Sequence, residues 1–443
     1  MKLLFILPEY LPHPGGGIIT FYRALLPQLV AEGHEVHVIV GSAMSAEANR
    51  NPIVIDGVKV ESLDQQLRDK YHQQFQAYAS MPWLRRHLAA AWAIYEQAEK
   101  GDGYDMVEAT DWGLLFIPWA LQQQVALLVR MHGSIGQIDI HDPVAGEEAQ
   151  GQLVRLIERQ ALSFANTVQT YSAANTLFWQ QQTGRDVECL YPAWQPFAQT
   201  GEKAAATDRG LVLGRLQRWK GPQVLCEALQ ILGNKAPMVE WMGRDSAFDN
   251  RQRTTGQYLA EKFPSIWQKR LLHCPPQAPE IAAAKQASAA FAVVPSSWDV
   301  FNFTCVEAMG QGVPVICSTG AGASSLIEDG VNGFVFESEN PQALANAIAR
   351  CTAMTQQQRN AMADAARATT SRELNPEKVA EQYLLAYEAT IKKLPQAVAQ
   401  DNWLRRACAP TEEKVDQLSF LDNLPLKDLM RYVWQRGKKK LSS

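Results

Sequence analysis

This sequence has no cysteine cluster, no apolar run of membrane-spanning length and no excess of either charge. Its seven cysteines (Cys189, Cys226, Cys274, Cys305, Cys317, Cys351 and Cys408) form no Cys-x-x-Cys pair and join no His/Cys cluster. That scatter carries no zinc signature and fits a reducing compartment better than a disulfide framework. No stretch approaches the ~18 uninterrupted apolar residues that a spanning helix needs. At the start, Met1 to Pro12 (MKLLFILPEYLP) holds a short apolar run that Pro8-Glu9 stops. It is too brief for a secretory h-region, and a first β-strand is the better reading. Lys+Arg number 42 against 46 Asp+Glu, a formal net charge of -4, so no basic field favours nucleic acid. Asp-x-Asp, the mark of a metal-bridged diphosphate site, is missing, as is the Gly-x-Gly-x-x-Gly dinucleotide fingerprint.

What is present is globular: 443 residues, 47% hydrophobic and 20% charged, enough for two or three domains. Short apolar runs alternate with helical patterns. Strands are expected at Leu3–Leu7, Glu35–Val40, Met106–Ala109, Leu127–Met131, Thr167–Tyr171 and Glu188–Tyr191. Helices fit at Thr20–Glu32, Trp83–Lys100 and Gln152–Phe164, and Asp56-Gly57 between two alternating runs predicts a hairpin. Pro192 to Arg209 lacks periodicity and suits a linker. A second series follows, with strands at Leu211–Leu213, Val239–Met242, Leu271–His273, Ala290–Val294, Val313–Cys317 and Gly333–Phe336. Helices fall at Pro222–Leu232, Pro279–Lys285, Thr304–Gln311, Pro341–Cys351 and Pro376–Lys392. Strand–helix alternation of this kind implies parallel sheets wrapped by helices, and two such halves place a ligand cleft at the strand C-termini.

Three segments carry chemistry. Gly15-Gly16-Gly17 precedes a helix, leaving backbone N–H groups open to an anion, although a plain turn also accounts for such a run. In Gly214 to Pro222, Arg215 and Lys220 sit on the loop after a strand, either as phosphate ligands or as solvated cations. The third, Pro295 to Val315, reads strand, loop, helix, turn, strand. There Asn302 can cap a helix and present the N–H groups of Phe303 and Thr304 to an anion. Glu307, one turn inside that helix, and Asp299, eight positions earlier, can accept hydrogen bonds from sugar hydroxyls.

This third segment resembles the D/E-x7-E motif of retaining GT-B glycosyltransferases, specifically glycosyltransferase family 4 (glycosyl transferases group 1). Gly214 to Gly221 resembles the family's GR-x4-KG element, Pro295-Ser296 its PS motif, and Gly33-His34-Glu35-Val36 its second-strand entry. Tyr104 to Trp112, Arg130 to Gly133 and Glu328 to Phe334 also match, in order, over about residues 1–390. The resemblance implies an α/β GT-B fold, two Rossmann-like parallel-sheet domains facing across a cleft. It places an acceptor-side domain at residues 1–195, a donor domain at 196–375, a helix crossing back at 376–393 and a partly helical tail at 394–443. It implies an EC 2.4 hexosyltransferase-type enzyme. Such an enzyme moves a sugar from a nucleoside-diphosphate-sugar to a hydroxyl acceptor with retention, in glycan or polysaccharide biosynthesis. No metal and no cofactor are expected beyond the nucleotide-sugar substrate, and no nucleic acid.

By the same resemblance Glu307 holds the nucleotide ribose, Asp299 lies near the donor sugar, and Arg215 and Lys220 hold the diphosphate. His132 faces the transferred sugar, although position alone suggests an ordinary core histidine; Gly16 and Gly17 approach phosphate and acceptor, beside the donor-binding helix start at Asn302, Phe303 and Thr304. Two departures stand out. Tyr191-Pro192-Ala193-Trp194 replaces a PNG-like turn, and Ser325 takes the acidic position of the GGxxE loop. Trp83 to Lys100 reads as a half-buried core helix. Leu424 to Lys440 reads as a solvated amphipathic helix with a basic end, the alternative being an acidic-membrane contact. The expected location is cytoplasmic, with peripheral contact at the inner face of the membrane as that alternative. The expected acceptor is a hydroxyl compound, lipid-linked or polymeric glycan among the candidates. A glycosyl phosphorylase-like enzyme or a non-catalytic sugar-nucleotide-binding subunit remains open on the same fold.

Overall fold

The structure, a computed structural model, describes residues 1–13, 15–48, 51–142, 148–196, 207–248, 253–399, 402–411, 421 and 425–441. The strands of the first half are β1 (Lys2–Leu7), β2 (Glu35–Val40), β3 (Ile53–Ile55), β4 (Val58–Ser62), β5 (Met106–Thr110), β6 (Ala126–Arg130), β7 (Thr167–Thr170) and β8 (Glu188–Cys189). They form an eight-stranded sheet in the order β3-β4-β2-β1-β5-β6-β7-β8. All pairings are parallel except the β3–β4 hairpin, whose turn residues Asp56 and Gly57 both have positive φ (50° and 79°), as a tight two-residue turn requires.

The second half contains β9 (Gly210–Leu213), β10 (Val239–Met242), β11 (Leu271–Cys274), β12 (Phe291–Val294), β13 (Val315–Ser318) and β14 (Phe334–Phe336). These make a six-stranded parallel sheet, order β11-β10-β9-β12-β13-β14. Both sheets are covered by helices, which is why their strands read as near-continuous apolar runs rather than alternating ones. The expected α/β class, with two parallel-sheet Rossmann-like domains, is the architecture found.

Helix Pro376–Lys392 packs against helix Gly17–Ala31 and strands β5 and β6 of the first half. Its Tyr383 and Tyr387 are fully buried. The chain then stays on that half: in helix Trp403–Cys408, Leu404 and Cys408 are buried, and the Trp92 indole N–H donates to the Cys408 carbonyl at 2.6 Å. Helix Pro82–Gln97 is a core helix, burying ten residues from Leu84 to Tyr95. One apolar cluster runs without interruption from Leu3, Phe5 and Tyr22 through Trp194 and Phe301 to Met309 and Tyr383, so the two halves share core as well as a cleft.

Among the described residues of 1–393, six α-helices have no counterpart among the expected elements: Gln65–Gln74, Ile117–Gln122, Ile135–His141, Ala173–Thr183, Thr255–Lys262 and Gln356–Glu373. Strand β8 is shorter than the expected Glu188–Tyr191, because beyond Cys189 the chain turns to carry Tyr191 and Trp194 toward the second half. The expected linker lies partly outside the described residues, at 197–206. Among the described residues no helix is long and apolar enough to cross a membrane.

Candidate active site

Between the halves lies a cleft of about 1950 Å³. Gly16, Gly17, His132, Arg215, Lys220, Asp299, Asn302, Phe303, Thr304 and Glu307 all line it, so these ten candidate residues meet in one space.

The second-half wall is built by two loops locked together. After β9, residues Arg218–Lys220 make one 3-10 turn that ends at Gly221 (φ 78°). A Cβ at Gly221 would stand 1.9 Å from the Pro295 carbonyl oxygen, so only glycine lets this loop press on the end of β12. The Ser297 backbone N–H and hydroxyl both donate to the Trp219 carbonyl, at 2.9 and 3.1 Å. Lys220 is thereby held against the loop after β12. Its ammonium donates to Asp299 Oδ2 at 2.5 Å and lies 4.1 Å over the Trp219 ring. The Asn302 amide donates to the same carboxylate oxygen at 2.7 Å. Arg215 is exposed to the cleft and has no hydrogen bond or ion pair among the described residues.

Helix Phe303–Gln311 starts at this point. Asn302 adopts a left-handed conformation (φ 82°), and its side-chain oxygen accepts from the Cys305 N–H at 3.2 Å and the Thr304 hydroxyl at 2.7 Å. The cap thus takes the third N–H of the helix, leaving those of Phe303 and Thr304 without a side-chain cap. Glu307, half-buried one turn on, is pushed up to about 7 by loss of solvation, an effect the nearby Arg23 guanidinium opposes. Opposite, Gly17 begins helix Gly17–Ala31, and a Cβ there would come within 3.0 Å of the Phe303 ring. The two helix starts therefore approach each other closely at the Phe303 ring.

From the first half, His132 follows β6. Its backbone N–H donates to Asp111 Oδ1 at 2.8 Å and the Gly133 backbone N–H to Asp111 Oδ2 at 3.2 Å. The Tyr171 hydroxyl lies 2.9 Å from His132 Nε2. Burial and the neighbouring Arg130 charge hold the imidazole well below its ordinary pKa, so it is neutral. Burial raises Asp111 to about 7 despite its backbone donors.

Behind His132 sits a fully buried ion pair. Arg130 donates to Glu108 through Nε (2.5 Å) and Nη2 (2.9 Å). The hydroxyls of Tyr22 and Tyr387 each donate to Glu108 at 2.6 Å, and the Tyr383 ring centroid lies 4.3 Å from the guanidinium carbon. This group pins the returning helix Pro376–Lys392 directly under the site.

Several participants went unassigned in the sequence. Glu9 accepts from the Gly16 N–H at 2.8 Å, and Trp298 stacks on His141 across the two halves with centroids 4.4 Å apart at 6°. For Glu108 there was a signal, a lone carboxylate inside an otherwise apolar strand, which demands a buried partner. Ser325, at the position where an acid was expected, is not on the cleft wall: it accepts from the Tyr191 hydroxyl at 3.2 Å and donates to the Gly322 carbonyl at 2.9 Å. No group of three or more His, Cys, Asp or Glu side chains placed to hold a metal ion occurs among the described residues.

Residues 207–369 match the family described as Glycosyl transferases group 1, and residues 16–176 match the Glycosyl transferase 4-like domain. A D-inositol 3-phosphate glycosyltransferase of Arthrobacter sp. is 26% identical over 73% of this chain and 78% of its own. The structure is similar to sucrose-phosphate synthase from Thermosynechococcus elongatus, with TM-score 0.67 and 20% identity, covering 88% of this chain and 98% of that one. It is also similar to Anabaena HepE in complex with UDP-glucose, with TM-score 0.60 and 20% identity, covering 88% of this chain and 100% of that one.

Proposed function

Because the chain belongs to the group 1 glycosyltransferases and has their GT-B fold, we propose that it transfers a sugar from a nucleoside-diphosphate-sugar to a hydroxyl acceptor with retention, in glycan or polysaccharide synthesis. The observation that carries this reading is the convergence on one helix start of Arg215, the Lys220–Asp299–Asn302 network and Glu307, all lining one cleft. In the proposed reaction the bond between the anomeric carbon and the diphosphate oxygen breaks, and its electron pair leaves on the diphosphate. An acceptor oxygen bonds to that carbon on the same face, and its proton passes to the departing diphosphate. Charge develops on the leaving group, and Arg215, Lys220 and the open N–H groups of helix Phe303–Gln311 are preorganised to meet it, in the role a metal fills elsewhere. Glu307 accepts from the ribose hydroxyls, Asp299 orients Lys220 beside the donor sugar, and His132 with Gly16 and Gly17 faces the sugar from the other half.

The test is a melting-temperature screen against UDP, GDP, ADP and TDP and their common sugar conjugates. One base should raise the melting temperature by mass action, and Glu307→Gln should abolish the rise. Binding should also depend on pH. Ribose hydroxyls stabilise the carboxylate, whereas the free group holds its proton up to about 7. Affinity should therefore strengthen as pH rises through 7 and weaken below it, with the Gln variant flat. No shift with any nucleotide, or a wild-type profile without pH dependence, would count against ribose contact.

The location proposed is cytoplasmic, with peripheral contact at the inner face of the membrane through helix Leu426–Leu441. Leu426, Met430, Val433 and Trp434 are exposed along one side of it, and Lys427, Arg431, Arg436 and Lys438 to Lys440 supply positive charge. The protein should co-sediment with vesicles containing phosphatidylglycerol and not with phosphatidylcholine alone. Trp434→Glu should remove that binding; equal sedimentation with both lipids would argue against an electrostatic contact.

A further inference from the structure

The two walls of the cleft differ in charge. All lysine and arginine side chains on its lining, among the described residues, come from the second half: Arg215, Lys220 and Arg244 near the helix start, and Arg359 and Arg367 farther along. The first half contributes none. Its charged contribution is the carboxylate of Glu9, which lies against the start of helix Gly17–Ala31 and accepts the Gly16 N–H at 2.8 Å. A helix start that would otherwise draw an anion is already occupied by one. Asp142, also of the first half, lies close enough to Arg215 and Arg218 to interact with both charges. His132 is neutral.

Into that same space projects Trp112, the residue after Asp111, whose carboxylate holds the His132 backbone; Trp112 is half-buried and lines the cleft. Its turn is fixed by Gly113 (φ 80°), and the buried, neutral His87 ring meets it edge-on at 5.9 Å. An indole held in this way beside the reacting centre offers an apolar surface of the kind that packs on the C–H face of a sugar ring.

We infer that the acceptor presents an uncharged saccharide to the first half, stacked on Trp112, and that sugar phosphates are discriminated against by Glu9. This inference rests on the transferase reading above and names its acceptor class. The donor's two negative phosphates have cations to meet them; an acceptor phosphate on the opposite wall would meet the Glu9 carboxylate, and the cation within reach of that carboxylate, Arg215, is committed to the donor.

The experiment compares transfer from the identified donor to neutral mono- and disaccharide glycosides and to the same sugars carrying a phosphate, using the full chain. Neutral acceptors should be used with kcat/KM at least about 10-fold above their phosphorylated counterparts, a ratio expected of one unfavourable charge contact. Glu9→Gln should narrow that ratio. Trp112→Ala should raise acceptor KM by about 10-fold or more with donor KM unchanged, and Trp112→Phe should restore most of it, because stacking needs a ring rather than the indole N–H. A phosphorylated sugar as the best acceptor, or an acceptor KM indifferent to Trp112→Ala, would overturn the inference. Loss of the nucleotide-induced melting shift in the wild-type protein would instead overturn the transferase reading, so the two failures are separable.

Discussion

Lys220→Ala and Arg215→Ala should each lower kcat by about 10²–10³-fold, the usual cost of removing one preorganised donor from a developing negative charge. Arg215→Ala should melt within a degree or two of the wild type, and Lys220→Ala a few degrees lower, both remaining folded at the assay temperature. Arg215 has no hydrogen bond or ion pair among the described residues, so the folded state loses only an exposed side chain. Lys220 does have a partner, Asp299 at 2.5 Å, and with the side chains only 18% and 15% exposed its loss leaves a mostly buried carboxylate that keeps the Asn302 amide as donor. The expectation is therefore a separation of activity from stability. The kinetic split adds a second check: a group that merely helped bind donor would raise donor KM and leave kcat alone. Near-normal kcat in both variants would remove the leaving-group role from these cations.

The opposite pattern is expected at Glu108. Replacing it by Gln keeps the shape and deletes the charge, leaving the Arg130 guanidinium buried with no counter-ion. One-sided disruption of a buried pair costs about 3–5 kcal/mol, a large part of the stability of any domain. Both side chains are fully buried, so solvent offers no relief. Denaturant midpoints should fall sharply, and proteolysis should release helix Pro376–Lys392 first, because Tyr387 donates to the lost carboxylate. Combining Glu108→Gln with Arg130→Met should recover much of the loss, since removing both charges leaves no uncompensated ion. A midpoint unchanged in Glu108→Gln would show that the pair does not hold the helix in place.

Much of this architecture was legible in the order of residues. Glu35–Val40, Val239–Met242, Pro222–Leu232 and Pro376–Lys392 appear with the expected bounds, since strong apolar runs and proline at the first helical turn are local signals. Two of the helices that escaped notice have a diluted apolar stripe. Gln356–Glu373 buries only Met362, Ala366, Thr369 and Thr370 among glutamines, arginines and alanines, and Gln65–Gln74 buries only Tyr71. Site residues carried on loops with glycine, proline and paired charges were visible because the loop chemistry is itself local. Glu9, Trp298 and the Glu108–Arg130 pair were not, because their partners lie far along the chain and only the folded topology makes them neighbours. Ser325 shows the limit from the other side: its position in the motif said nothing of its bond to Tyr191.

The returning helix also has a consequence for how the protein is made. Glu108 and Tyr387 are 279 residues apart, and the whole second half is synthesised between them. At ~5–20 residues per second that interval is on the order of 15–55 s. Through it the nascent first half must keep Glu108 and Arg130 together without the tyrosines that will seal them, and with Trp92 still lacking the Cys408 carbonyl. The second half can close on itself first. The first half, although it leaves the ribosome earlier, is the last to be finished.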